Sequence, residues 1–117
     1  MKLPRQFSSA EHFTPAPGEP LRTVVAETTE AAIIAWHLEP GQTIPAHIHP
    51  HGQDTWTILD GVGNYTCDST GNTLSLRAGD IMVARTGEVH GVYNPGPGPL
   101  RFISVVAPGN AGYQRLE

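Results

Sequence analysis

Glycine and proline interrupt this chain every few residues, and that punctuation limits what it can fold into. With 13 glycines and 11 prolines, few stretches can sustain a helix, whereas short strands joined by tight turns suit the pattern. The segments between breaks are RTVVAET (22–28), AAIIAWHLEP (31–40), TIPAHIH (43–49), DTWTILD (54–60), VGNYTCD (62–68), LSL (74–76), DIMVA (80–84), EVHGVYN (88–94) and LRFISVVA (100–107). β-Branched and aromatic residues are frequent in them, as strands favour. The alanines of 31–40 would also suit a helix, but Ile33, Ile34 and Trp36, followed by the stop at Pro40 and Gly41, favour a strand. Leu3 to Phe7 is a candidate edge strand, and EHFTPAPGEP (11–20), with three prolines, is an irregular arm. Short strands without a firm helix predict one all-β domain, a sandwich or a barrel. Its expected division is an extended arm over 1–20 and the domain over 21–117.

Composition narrows the partners. A hydrophobic content of 38% is enough to fill one core. Net charge is −4, and no cluster of Lys or Arg forms a phosphate-binding stripe, so neither nucleic acid nor an anionic membrane is an expected partner. Cys67 is the only cysteine and has no internal partner for a disulfide. The opening MKLPRQFSSAEHF has a basic pair with no apolar run behind it, and no segment has the length of a membrane helix. A cytoplasmic location is the expectation.

Three of the six histidines fall in one pentapeptide, HIHPH at 47–51. Residues i and i+2 of a strand share a face, so His47 and His49 can approach one cation. His51 would follow them only along a straight strand. Pro50 and Gly52 argue for a bend, leaving His51 as a rim residue or an extra ligand. Beyond the bend, Asp54, Trp56 and Ile58 share one face and Thr55, Thr57 and Leu59 the other. A divalent metal that does chemistry needs about three protein ligands and open positions. His90, in a later strand and flanked by Gly87 and Gly91, is the best candidate to complete the set, the glycines leaving room for a ligand's approach. Packing remains the simpler role for His12 and His37.

These spacings resemble the two motifs of the cupin family. The first is matched by Gly41, QTIPA, His47, Ile48, His49, PHGQ, Asp54, TWTILD and Gly61. The second is matched by Gly79, DIMVA, Arg85, Thr86, Gly87, EV, His90, GVY and Asn94. Eight of the ten fixed positions agree. The resemblance implies a double-stranded β-helix, a jelly-roll barrel, with its ligands pointing inward. It also implies that His47, His49 and His90 bind a divalent transition metal (Fe, Mn, Ni or Zn). Two positions depart from the family. Arg85 replaces a proline, loosening a turn and adding a cation. Asp54 replaces a glutamate and is one methylene shorter, so the shell has three possible completions: Asp54, Gln53 after a tighter bend, or water.

Cupins include dioxygenases, decarboxylases, isomerases, lyases and plain binding modules. The resemblance therefore implies a metalloenzyme of oxygenase or lyase type acting on a small organic molecule, with a noncatalytic binding or sensor module as the alternative. Tyr93 and Arg85 are the candidate catalytic, substrate-anchoring groups. Trp36, Trp56, Tyr65, Tyr93, Phe102 and Met82 are candidates to wall a pocket. A homodimer is expected, because small jelly rolls leave sheet edges open, and the proline-rich arm could cover a partner's edge.

Overall fold

The computed structural model describes residues 2–116. Met1 and Glu117, at the outer ends of the expected arm and domain, lie outside them. Ten strands follow one short 3-10 turn at Ser9–Glu11: β1 Thr23–Glu27, β2 Ala32–Leu38, β3 Thr43–Ile48, β4 Gln53–Asp60, β5 Val62–Thr66, β6 Thr73–Arg77, β7 Ile81–Ala84, β8 His90–Tyr93, β9 Leu100–Ala107 and β10 Gln114–Arg115. The segment at 31–40 is indeed a strand. Leu3 to Phe7 is not, and β10 lies in a stretch whose sequence carries no strand signal.

The strands form two antiparallel five-stranded sheets, ordered β1-β2-β9-β4-β7 and β10-β3-β8-β5-β6. The closed barrel implied by the family resemblance is not formed. Among the described residues no ladder joins the sheets, and the architecture is a jelly-roll sandwich with four edge strands, β1, β7, β10 and β6. The edge strands of one sheet do not pair with those of the other, and the chain's own connections link the two. Only β1–β2 and β5–β6 are consecutive strands paired in one sheet, and every other connection carries the chain across to the opposite sheet. Six of these crossings contain a glycine with positive φ, among them Gly41 (89°), Gly61 (85°), Gly79 (97°) and Gly87 (78°). A side chain is strained in that region, so the four glycines of the sequence motifs are corners of the sandwich. The motif's Asn94 is fully buried. Its amide donates to the carbonyls of Leu38 and Gly98 and accepts from the Gly96 N–H, bracing the loop between β8 and β9.

Alternation sorts the side chains. On β4, Asp54, Trp56 and Ile58 are buried while Thr57 and Leu59 are exposed. On β9, Leu100, Phe102 and Ser104 face inward. At one end the two inner faces meet in an apolar core that includes Leu38, Ile58, Tyr65, Leu76, Val92 and Phe102. Phe102 stacks on Trp56 with centroids 4.2 Å apart, a contact that adds about 0.5–1.5 kcal/mol to its area burial. Following β4 back from Ile58 through Trp56 to Asp54, or β9 forward from Phe102 to Ser104, the interior changes from apolar to polar.

That change coincides with a bulge. β3 pairs with β8 as Ile44↔Val92, then shifts register to His47↔His90. The extra residue turns both Ile44 and His47 inward, although an odd number of positions separates them. Pro45 lies within the bulge, where its missing N–H breaks no ladder bond. Gly91 lies opposite. A Cβ there would come within 2.7 Å of the Ile44 carbonyl oxygen and 3.0 Å of the Ala46 nitrogen, both backbone atoms that cannot step aside. Gly91 thus admits the bulged strand, not an incoming ligand as its position in the sequence suggests. Replacing it (Gly91→Ala) is expected to cost about 1–3 kcal/mol, read as a lower urea midpoint with an unchanged slope.

Candidate metal centre

His47 and His49 come from the end of β3 and the bend after it, Asp54 from β4 and His90 from β8. One ligand atom from each lies within 4.8 Å of all the others. The three rings close on one another, with centroids 4.1 Å apart for His47 and His90 and 5.2 Å for each of the other pairs. His90 is the deepest, with no exposed surface.

Each ring is oriented from behind. The Nδ1–H of His47 donates to the Pro45 carbonyl (2.8 Å), that of His49 to the Gly112 carbonyl (2.6 Å) and that of His90 to the Glu88 carbonyl (3.1 Å). A carbonyl oxygen only accepts, so Nδ1 carries the proton in all three and a neutral ring presents Nε2 as a lone pair. Asp54 is held in the same way: its Oδ1 accepts a 2.6 Å hydrogen bond from the Ser104 hydroxyl, while Oδ2 lies 2.9 Å from His90 Nε2 and 3.3 Å from His49 Nε2. Neutral rings would therefore turn lone pairs toward a carboxylate. A cation among them satisfies all four groups, and outer hydrogen bonds of this kind orient metal ligands generally. The donor set of three imidazoles and one carboxylate suits Fe, Mn, Ni or Zn.

With no cation among these groups, a second proton on His49 Nε2 stands in for it beside Asp54, and the charges of the cluster follow from that exchange. Burial, reinforced by neighbouring His90, lowers the His47 pKa to about 4 and keeps that ring neutral. Burial alone would raise the Asp54 carboxyl, but hydrogen bonds with His49, His90 and Ser104 outweigh it and hold the group ionised, well below the ordinary carboxylate range. For His49 burial works against the charged form, yet the bonds to Asp54 and the Gly112 carbonyl leave its pKa raised. A buried carboxylate persists when it is hydrogen-bonded on all sides.

The other sequence candidates sit elsewhere. Gln53 is exposed and bonds Thr55, so Asp54 is the side chain directed inward. His51 is exposed on the bend, outside the cluster. Tyr93 is 43% exposed. On β8 it has the opposite parity to His90 and Val92, which both point inward, so it faces out. The Arg85 side chain is 72% exposed and lies 3.8 Å from Glu88. Its backbone N–H donates to the Glu88 carboxylate (2.7 Å), which closes the turn that a proline makes in the family pattern. Neither Tyr93 nor Arg85 lines the cavity that reaches the cluster. Trp36 and Trp56 do, whereas Tyr65 and Phe102 belong to the core and Met82 packs against it.

That cavity, of about 540 Å³, has Ile34, Trp36, Ile44 and Val106 among its apolar walls, and His47, His49, Asp54 and Ser104 line it as well. Glu19, Arg22 and Tyr113 also line it. The Tyr113 ring lies 4.9 Å from that of His47 and is 59% exposed. It arrives there because β10 pairs with β3 and the His51 N–H donates to the Ala111 carbonyl. Sequence reasoning missed Ser104, Gly112 and Tyr113. Only Ser104 left a trace, as a hydroxyl on the inward face of a strand otherwise carrying Leu100 and Phe102.

The profile of the Cupin domain matches residues 34–106, more than half of the chain. The chain belongs to the cupin family. This cupin superposes with a TM-score of 0.94 on a solved structure, an uncharacterized conserved protein with a double-stranded β-helix domain from Klebsiella pneumoniae subsp. pneumoniae MGH 78578. The two are 50% identical, over 98% of this chain and 99% of that one. It is 30% identical over 69 residues to an oxalate-binding protein of Thermotoga maritima, covering 59% of this chain and 55% of that one. With the alginate biosynthesis protein AlgA of Pseudomonas putida it shares 28% identity over 80 residues, 68% of this chain. The chain spans 16% of the length of that last relative.

The contact between Ser104 and Asp54 yields a measurable expectation. Ser104→Ala should weaken divalent-metal binding about 10–100-fold and leave the circular dichroism spectrum unchanged. His51→Ala should leave metal affinity as it is. Both are read by competition titration against a chromophoric chelator.

Proposed function

We propose that this cupin is a divalent-metal-dependent enzyme of oxygenase or lyase type acting on a small organic molecule. One observation carries the proposal: three imidazoles and a carboxylate, each oriented from behind, converge on one point, and His47, His49 and Asp54 of that cluster line an accessible cavity. Structural metal sites close their shells against solvent, whereas catalytic sites keep a position open to a pocket. His47, His49, Asp54 and His90 would hold the ion. When bound, it supplies Lewis acidity and, if redox-active, electron transfer to a bound molecule.

The chain's own groups do the rest. Ile34, Trp36, Ile44 and Val106 offer an apolar surface that displaces water from a bound molecule, and Tyr113 brings a phenol beside the His47 ring. The name of the Thermotoga relative speaks of binding a small organic acid, which supports a substrate of that size. A binding-only role is the second reading. It is favoured by the fact that, apart from His47, His49 and Asp54, the ionisable groups lining the cavity among the described residues are Glu19, Arg22 and Tyr113, all of them exposed.

Elemental analysis of freshly purified protein is expected to show about one equivalent of a transition metal per chain, lost in His49→Ala and His90→Ala while the sheet spectrum is retained. Full occupancy in both variants would remove the proposed centre. Reconstitution with Fe, Mn, Ni or Zn and a panel of small acids, with products followed by mass spectrometry, separates the two readings: turnover supports an enzyme, and binding without turnover supports a module.

We further propose a cytoplasmic homodimer. The unbridged Cys67 supports the compartment, and among the described residues no helix is long and apolar enough to cross a membrane. The four sheet edges support the dimer. Part of the arm is tied to its own chain, since the Gln42 amide donates to the carbonyls of Ala16 and Gly18 and the Phe13 ring lies 5.5 Å from the Arg101 guanidinium. Deleting residues 1–20 is expected to shift the protein toward monomer or aggregate in light scattering coupled to gel filtration. An unchanged dimer would rule out the arm's part in assembly.

A further inference from the structure

Building on the proposed metal centre, we infer that Arg22 sets the substrate class, and that the cavity selects a monocarboxylate with an apolar body. Among the described residues, Arg22 is the only lysine or arginine that lines the cavity. It stands immediately before β1, and its neighbour Thr23 pairs with Ala35 of β2, between the wall residues Ile34 and Trp36. Its ion pair with Glu27, at 3.5 Å, joins two side chains that are both about half exposed. Such a pair contributes little, so the guanidinium can turn to an anion in the cavity at small cost. A planar fork of N–H donors is the group best matched to a carboxylate.

Counting charges gives the same class. A divalent ion held by three neutral rings and one carboxylate retains one uncompensated positive charge. Arg22 adds another, and Glu19, on the same cavity, offsets one. A single negative charge balances what is left, whereas a dianion would also face Glu19. The walls bear on the remainder of the ligand: Ile34, Trp36, Ile44 and Val106 make no provision for a second charged group but can cover a ring or a branched chain. Benzoate fits this description better than oxalate, which has no apolar part to bury.

The experiment is calorimetric titration of the zinc-loaded protein, in which redox turnover does not intrude, with benzoate, the neutral benzamide and oxalate. Benzoate is expected to bind at least roughly tenfold more tightly than benzamide. Arg22→Gln should abolish that difference, Arg22→Lys should restore part of it, and zinc affinity should be equal in all three proteins. If Arg22→Gln binds benzoate like the wild type, or if the wild type prefers oxalate, the inference is overturned. The same titration on zinc-free protein, with zinc content measured separately, keeps the two proposals apart. Full zinc occupancy without Arg22-dependent discrimination defeats this inference alone, and discrimination without zinc uptake defeats the metal centre alone.

Discussion

Three backbone carbonyls, those of Pro45, Glu88 and Gly112, each accept the Nδ1–H of one histidine and so decide where its other nitrogen points. Left to themselves, imidazoles rotate and exchange tautomers. Here neither freedom remains. The carbonyls belong to three different parts of the chain, a bulge in β3, the turn before β8 and the segment before β10, so the orientation of the rings is a property of the whole sandwich. Ser104 performs the same office for Asp54.

The fold tolerates this polar cluster because it is segregated. Burying a carboxylate among rings would be costly in the middle of the apolar core. Instead β4 and β9 each run from one region into the other, with Trp56 at the boundary, packed against Phe102 on the apolar side and 5.7 Å from His90 on the polar side. The core supplies the cohesion, and the far end of the same strands can hold groups that weaken packing but can bind something.

Much of this was legible in the sequence, for identifiable reasons. Period-two alternation placed Asp54, Trp56 and Ile58 on one face, and the i, i+2 spacing brought His47 and His49 together. Applied to β8, the same rule would have sent Tyr93 outward once His90 was taken as inward. Arg85 drew attention by its unusual residue type, but its contribution is a backbone N–H in a turn. Closure into a barrel could not be judged from strand spacing, because spacing does not say whether the chain pairs with its predecessor or crosses to the other sheet. The bulge at Pro45 and the short β10 escaped notice because each depends on a distant partner: Gly91 for the one, β3 for the other.

The bond between His49 and Gly112 spans 63 positions along the chain. A polypeptide emerging from the ribosome in order would release His47, His49, Asp54 and His90 well before residue 112. Asp54 needs β9 beside it, and until the following segment is in place the His49 imidazole lacks its acceptor and can swivel. Orienting the His49 ring therefore waits on the segment that leads into β10, and the four groups share a fixed geometry only in the fully assembled sandwich.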